Sequence, residues 1–336
     1  MSLSTIKIFR NSHKKFRYKI ILTLIFSFCE IINAKIPPKD SLGLSRFSFL
    51  NNKKMGKEDC DACGCAINNN SIGVDGLLNR QYVGIKYFSQ HYKVKENIFV
   101  KEPNQNQYFN SIQLLAKIPL GNKIIFYAIV PYHINTKEKN PSETIEGLGD
   151  MTILGNYYLL NNRLNGKNSP HRLLTNFGLK IPTGKFDAKN ATGINPSFQL
   201  GTGSWDFLTS LNYQYIKEKF AFQIGTDYIL KNENSNYYKF GNQWNFSING
   251  FYFFTIGLAR INPKLSFLSE FYEKNEQLGE KLPKTDGKMY LGKTGIEINY
   301  KNLTFGSDYS TPIYADLAEK EIKPISRFSL FFTLNF

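Results

Sequence analysis

The sequence has no apolar run long enough to carry a helix comfortably across a bilayer, and its mean hydropathy is negative. A bundle of membrane helices is therefore excluded. Helical periodicity is missing too, because few segments repeat apolar residues at i, i+3, i+4 and i+7. Tryptophan is scarce, with 2 residues, and cysteine and histidine number 4 each. Tyrosine and phenylalanine are plentiful at 20 and 28, which brings the aromatic share to 15%. That load suits strands, and it suits aromatic girdles at a membrane interface.

Residues 1–34 read as an export leader. Lys7, Arg10, Lys14, Lys15, Arg17 and Lys19 form a basic start, Ile20 to Phe28 a short apolar stretch, and Ala34 a small residue for cleavage before Lys35. A lipoprotein anchored at Cys29 is disfavoured by Phe28, which stands where a small residue belongs. The net charge is +15. Six basic residues and Glu30 give the leader +5 and leave +10 for the mature chain. An exported chain rarely meets nucleic acid, so none is expected as a partner. The excess reads as loops facing anionic lipid headgroups, or as a lumen that prefers anions.

Residues 35–79 are polar and irregular, with Pro37, Pro38 and the run Asn68-Asn69-Asn70. They read as a periplasmic segment or a plug. From about Arg80 the chain repeats one theme, alternating segments of about ten residues separated by Gly, Asn, Pro and Lys. In the segment 326–336, Phe328, Leu330, Phe332, Leu334 and Phe336 share one face, and Arg327, Ser329, Phe331, Thr333 and Asn335 the other. A final Phe resembles the terminal signature by which outer-membrane barrels are recognised for assembly. Strands are expected at 80–92, 107–118, 123–134, 147–160, 171–182, 204–217, 219–230, 241–254, 263–273, 287–300, 302–311 and 325–336. Twelve is an even number, as such barrels require. The breaks at 120–122, 217–219 and 300–302 are tight. Those at 93–106, 135–146, 183–203, 231–240, 274–286 and 312–324 are long. The expected fold is an all-β, antiparallel up-and-down barrel over 80–336, with its long loops outside the cell.

Alternation assigns the charges to a single face. Asp150, Lys180 and Asp206 fall on the inward side of three consecutive strands, near their outer ends. They should sit at one height, with Lys180 between two carboxylates. Arg327 is expected in the same layer, and Glu270, Lys293, Glu297 and Asp308 also point inward. The cluster of Asp150, Lys180, Asp206 and Arg327 either fixes strand register or forms a constriction or binding site in the lumen.

Gly147-Leu148-Gly149-Asp150, Lys180-Ile181-Pro182-Thr183-Gly184 and the stretch from Pro196 to Asp206, PSFQLGTGSWD, carry a resemblance. Together they resemble the outer-membrane barrel family named for the MetA pathway of phenol degradation. That family is related more loosely to hydrophobic-compound channels such as the fatty-acid transporters. The resemblance implies a transporter or pore for small solutes of hydrophobic or aromatic character, without identifying one. Leu200 departs from the pattern, where Pro is expected. The glycines at 201 and 203 permit a tight bend as the loop re-enters the wall.

Cys60, Cys63 and Cys65, in Cys-Asp-Ala-Cys-Gly-Cys, offer three thiolates that could take copper(I) or zinc. Zinc would want a fourth ligand. A disulfide with one free thiol is the alternative. Three readings follow. The first is an outer-membrane barrel that passes small molecules. The second is a metal-linked binding or sensing barrel serving a periplasmic partner protein. The weakest is an outer-membrane hydrolase, because His91, His133 and His171 lack Ser and Asn or Asp at a suitable spacing.

Overall fold

The computed structural model describes residues 81–94, 105–120, 123–138, 142–161, 171–186 and 198–336. Twelve long strands form one antiparallel sheet. They are β1 (Tyr82–Val94), β2 (Gln105–Leu120), β3 (Ile124–Lys137), β4 (Glu143–Leu148, continued by Met151–Asn161), β5 (His171–Ile181) and β6 (Asp206–Lys217). They continue as β7 (Phe220–Leu230), β8 (Gln243–Tyr252), β9 (Ala259–Tyr272), β10 (Gly287–Tyr300), β11 (Leu303–Leu317) and β12 (Ile322–Asn335). Each pairs with the next in sequence, and β12 returns to β1 with Asn335 opposite Tyr82. The sheet therefore closes on itself and has no open edge to satisfy.

Closure follows from the two-residue period. Outward positions are apolar and exposed, among them Phe177, Leu211 and Leu265. Inward positions are buried and mostly polar, as in the series Asn156, Asn176, Ser210, Asp227 and Asn245. This is the inverse of a soluble fold, and it is the arrangement that suits a barrel set in lipid. No helix among the described residues is long and apolar enough to cross a membrane.

The strands run further than the sequence pattern indicates at two places. The expected long break at 312–324 is instead the end of β11, a turn at 318–321 and the start of β12. Pro312 and Pro324 made this stretch look broken. Each sits beside a shift in strand register, Pro312 opposite Leu291 and Pro324 opposite Tyr92. A bulge is where a strand can accommodate a residue that donates no hydrogen bond. Likewise β3 and the first part of β4 extend the hairpin into 135–146.

β4 is interrupted at Gly149 and Asp150. The outer half of β3, Tyr132–Lys137, pairs with Glu143–Leu148, and its inner half, Ile124–Ile129, with Thr152–Tyr157. Between the halves lies Pro131, which has no N–H for the ladder. Its carbonyl still accepts from the Gly149 N–H at 2.9 Å. Asp150 thereby turns inward at the rim. The loops after β7 and β9 join at that same end in a small sheet of Tyr238–Lys239, Glu276–Gln277 and Glu280–Lys281.

Candidate functional site

Asp150, Lys180 and Asp206 meet on the inner wall. The Lys180 ammonium lies 2.5 Å from Asp206 Oδ2 and 3.6 Å from Asp150 Oδ2, and all three residues are buried. Strand register brings them together, since Lys180 is directly opposite both Asp206 and Thr152. The expected layer also included Arg327, and here the structure differs. Arg327 faces inward but is engaged by Glu270, with Nη1 to Oε1 at 2.7 Å and Nη2 to Oε2 at 3.0 Å. The Tyr272 hydroxyl donates to Glu270 Oε2 at 2.5 Å, and Arg327 Nη2 donates to the Tyr92 hydroxyl at 3.0 Å. Arg327 thus belongs to an ion-pair cluster on β9 and β12, separate from that of Asp150, Lys180 and Asp206 on β4 to β6.

Asp150 does more than neutralise a lysine. Its Oδ1 accepts from the Gly184 N–H at 2.9 Å. Its Oδ2 accepts from the Thr202 N–H at 2.8 Å and the Thr202 hydroxyl at 2.9 Å. One carboxylate therefore fastens both described ends of the β5–β6 loop to the wall. Charge-assisted bonds of this kind are about twice as strong as neutral ones. Gly201 and Gly184 are packed backbone to backbone, so a Cβ on Gly201 would lie 2.7 Å from Gly184 Cα. Gly203 has φ of 69°, in the left-handed region that favours glycine. Asn234 closes the other side, its side-chain nitrogen donating to the Thr202 carbonyl at 2.9 Å.

The fastened loop delivers Phe198 into the barrel. Phe198 is fully buried in an apolar cluster with Tyr92, Phe109, Leu268, Met289, Leu291 and Leu317, drawn from β1, β2, β9, β10 and β11. Its ring meets Phe109 edge-on at 6.1 Å, and the Lys137 ammonium lies 4.4 Å from its centroid. A loop residue thus occupies the long-loop end of the lumen. Below it the inner wall of β2 to β5 carries a second apolar cluster, including Leu115, Tyr127, Leu154 and Leu174.

Further charges gather on β9 to β11. Lys264 lies 2.6 Å from Asp308 Oδ1 and Lys293 3.2 Å from Asp308 Oδ2. Alternation placed Lys293 and Asp308 inward, but it could not show that two lysines share one carboxylate. Among the described residues, nine buried lysines and arginines stand against six buried carboxylates, so the interior is net basic. Of the histidines, His91 contacts Asn106 Oδ1 at 3.1 Å and His171 the Tyr213 hydroxyl at 2.6 Å. Cys60, Cys63 and Cys65, and with them the copper or zinc expectation, lie outside the described residues. Among those described, no three His, Cys, Asp or Glu side chains converge as a metal set.

The family described as "Putative MetA-pathway of phenol degradation" matches residues 106–288, more than half of the chain. The chain belongs to this family. The match spans β2 to β9 and includes the whole loop latch of Asp150, Gly184 and Thr202. Among solved structures, the COG4313 outer membrane channel from Pseudomonas putida F1 is similar, with a TM-score of 0.58 and 13% identity. That likeness covers 76% of this chain and 96% of the other, and at that identity it bears on the fold alone. The β domain of the Bordetella autotransporter BrkA aligns over 76% of this chain and 100% of its own, at 9% identity and a TM-score of 0.47. A search of curated proteins finds no match.

Proposed function

We propose that the chain is an outer-membrane channel that passes small molecules, exported by a cleaved leader at 1–34 and surrounded by lipid. One observation carries this reading. Twelve strands close a ring whose outward side chains are mostly apolar and whose inward side chains are mostly polar and charged, with two apolar clusters among them. The outer surface suits hydrocarbon and the inner surface suits a solute path. The family membership and the channel fold of the P. putida protein support the reading. The long loops face the cell exterior, and solutes enter past the β5–β6 loop. Passage requires Phe198 to leave its apolar seat, so the loop sets the resting conductance.

Planar-bilayer recording of the full mature chain tests this. Discrete conductance steps are expected, with larger or more frequent openings on Phe198→Ala. Bilayers that stay silent for both proteins, each folded by heat-modifiable gel mobility, would overturn the channel reading.

A further inference from the structure

The interior of β8 to β10 holds a group of donors that the channel architecture does not require. Lys264 and Lys293 are both buried and share the single carboxylate of Asp308. Gly295 stands between Lys264 and Asp308 in register, and its missing side chain leaves room for the Asp308 carboxylate to reach across to Lys264. One acid cannot neutralise two ammonium groups, and an uncompensated buried charge is costly.

A second observation is independent of that charge count. Ser266 lies directly opposite Lys293 on β10 and opposite Asn249 on β8. Both Ser266 and Asn249 point inward and are more than nine-tenths buried. The Ser266 hydroxyl and the Asn249 side-chain nitrogen have no hydrogen-bond partner among the described residues. Buried polar atoms are nearly always paired, so two idle donors beside an excess of ammonium groups mark a place for an acceptor from outside the chain. The acceptor must be anionic, and a planar carboxylate has enough lone pairs for both lysines and both neutral donors.

The next inward layer defines the rest of the ligand. Two residues further along the same strands, a step of about 7 Å, come Leu268 and Leu291, directly opposite each other. They belong to the apolar cluster that seats Phe198 and Phe109. The aromatic ring of Phe198 fills that chamber in the resting protein. A solute with its carboxylate on the lysines would put an apolar body there in place of that ring.

We infer that the lumen carries a binding site for a monovalent organic acid, with its carboxylate held by Lys264, Lys293, Ser266 and Asn249 and its aromatic or aliphatic body against Leu268 and Leu291. This rests on the channel reading for its role in passage, but not for binding. Benzoate and octanoate are the probes, with acetate and benzyl alcohol as the headgroup-only and body-only controls. Titration calorimetry on the detergent-solubilised full mature chain should show benzoate or octanoate binding at least tenfold tighter than either control. Lys264→Gln with Lys293→Gln should weaken it at least tenfold. The triple variant Lys264→Met, Lys293→Met and Asp308→Asn removes the same site without leaving a buried carboxylate alone, and should do the same. Ser266→Ala should weaken binding to a smaller extent. In bilayers the same acids should reduce chloride current through the wild type and not through the triple variant.

Equal affinity for benzoate and benzyl alcohol, or unchanged benzoate affinity in the folded triple variant, would overturn the site while leaving the channel intact. Benzoate binding with the expected variant pattern, in a protein that never conducts, would uphold the site and overturn the channel.

Discussion

A charge inside a membrane wall must find its counter-charge within the reach of its own side chain. Arg327 finds Glu270, on a strand three positions round the barrel, by a two-armed contact. Alternation assigns each residue to a face. It carries no information on which side chain meets which across the curve of the wall, and so Arg327 could be placed inward but not paired. Lys180 was paired because its partners lie on neighbouring strand ends, where register alone decides. The Arg327–Glu270 pair gives a sharp expectation. Arg327→Met should lower stability by about 3–5 kcal/mol by leaving a buried carboxylate unpaired. Adding Glu270→Gln should restore most of that loss, as read from urea unfolding in lipid vesicles. Additive losses in the double variant would mean the pair is not coupled.

The β5–β6 loop is the element whose construction was least visible in the sequence. Its glycines and its entry into β6 were legible from PSFQLGTGSWD. The burial of Phe198 was not, because one apolar residue in a Gly- and Thr-rich run has no period to betray its direction. The role of Asp150 was half-legible: its face follows from alternation, but its bonds to Gly184 and Thr202 depend on the break opposite Pro131. Asp150→Ala and Gly201→Ala should each free the loop. Limited proteolysis should then cut within 182–205 at least tenfold faster, with the barrel still heat-modifiable. Cleavage no faster than wild type would show that the latch does not hold the loop. The β11–β12 turn is pinned differently, by Lys284 on Glu319 at 2.7 Å and Glu321 at 2.8 Å. Bonds to Glu319 and then Glu321 raise the Lys284 ammonium above its ordinary value. While Glu319 and Glu321 are ionised, its contribution is fully present below the unfolded lysine range and fades as pH rises through the raised folded value. The protease resistance of the turn relative to Lys284→Ala should therefore be the same at pH 7 and pH 9.

For the whole molecule, strand number, order and face assignment were all readable, because a closed barrel writes one rule into every strand. The hidden part was strand length near the rim, where Pro312 and Pro324 occupy bulges rather than breaks. The same rule sets opposite tolerances for neighbouring residues. Phe177→Lys puts a charge on the lipid face near mid-strand and should cost about 2–4 kcal/mol. Asn176→Ser, one residue away on the inner face, should cost far less. Vesicle unfolding of the two variants measures the difference, and equal losses would contradict the assigned faces.

The Asp150 latch also imposes an order on assembly. Its donors at Gly184 and Thr202 flank the long connection from β5 to β6, and its own position depends on β4 having docked on β3. Its bonds to Thr202 cannot form until β3 to β6 stand side by side. Loop protection is therefore a late clock. During refolding into vesicles, resistance to cleavage at 182–205 should appear after the strand signal is complete, and in Asp150→Ala that second phase should vanish while the first keeps its rate.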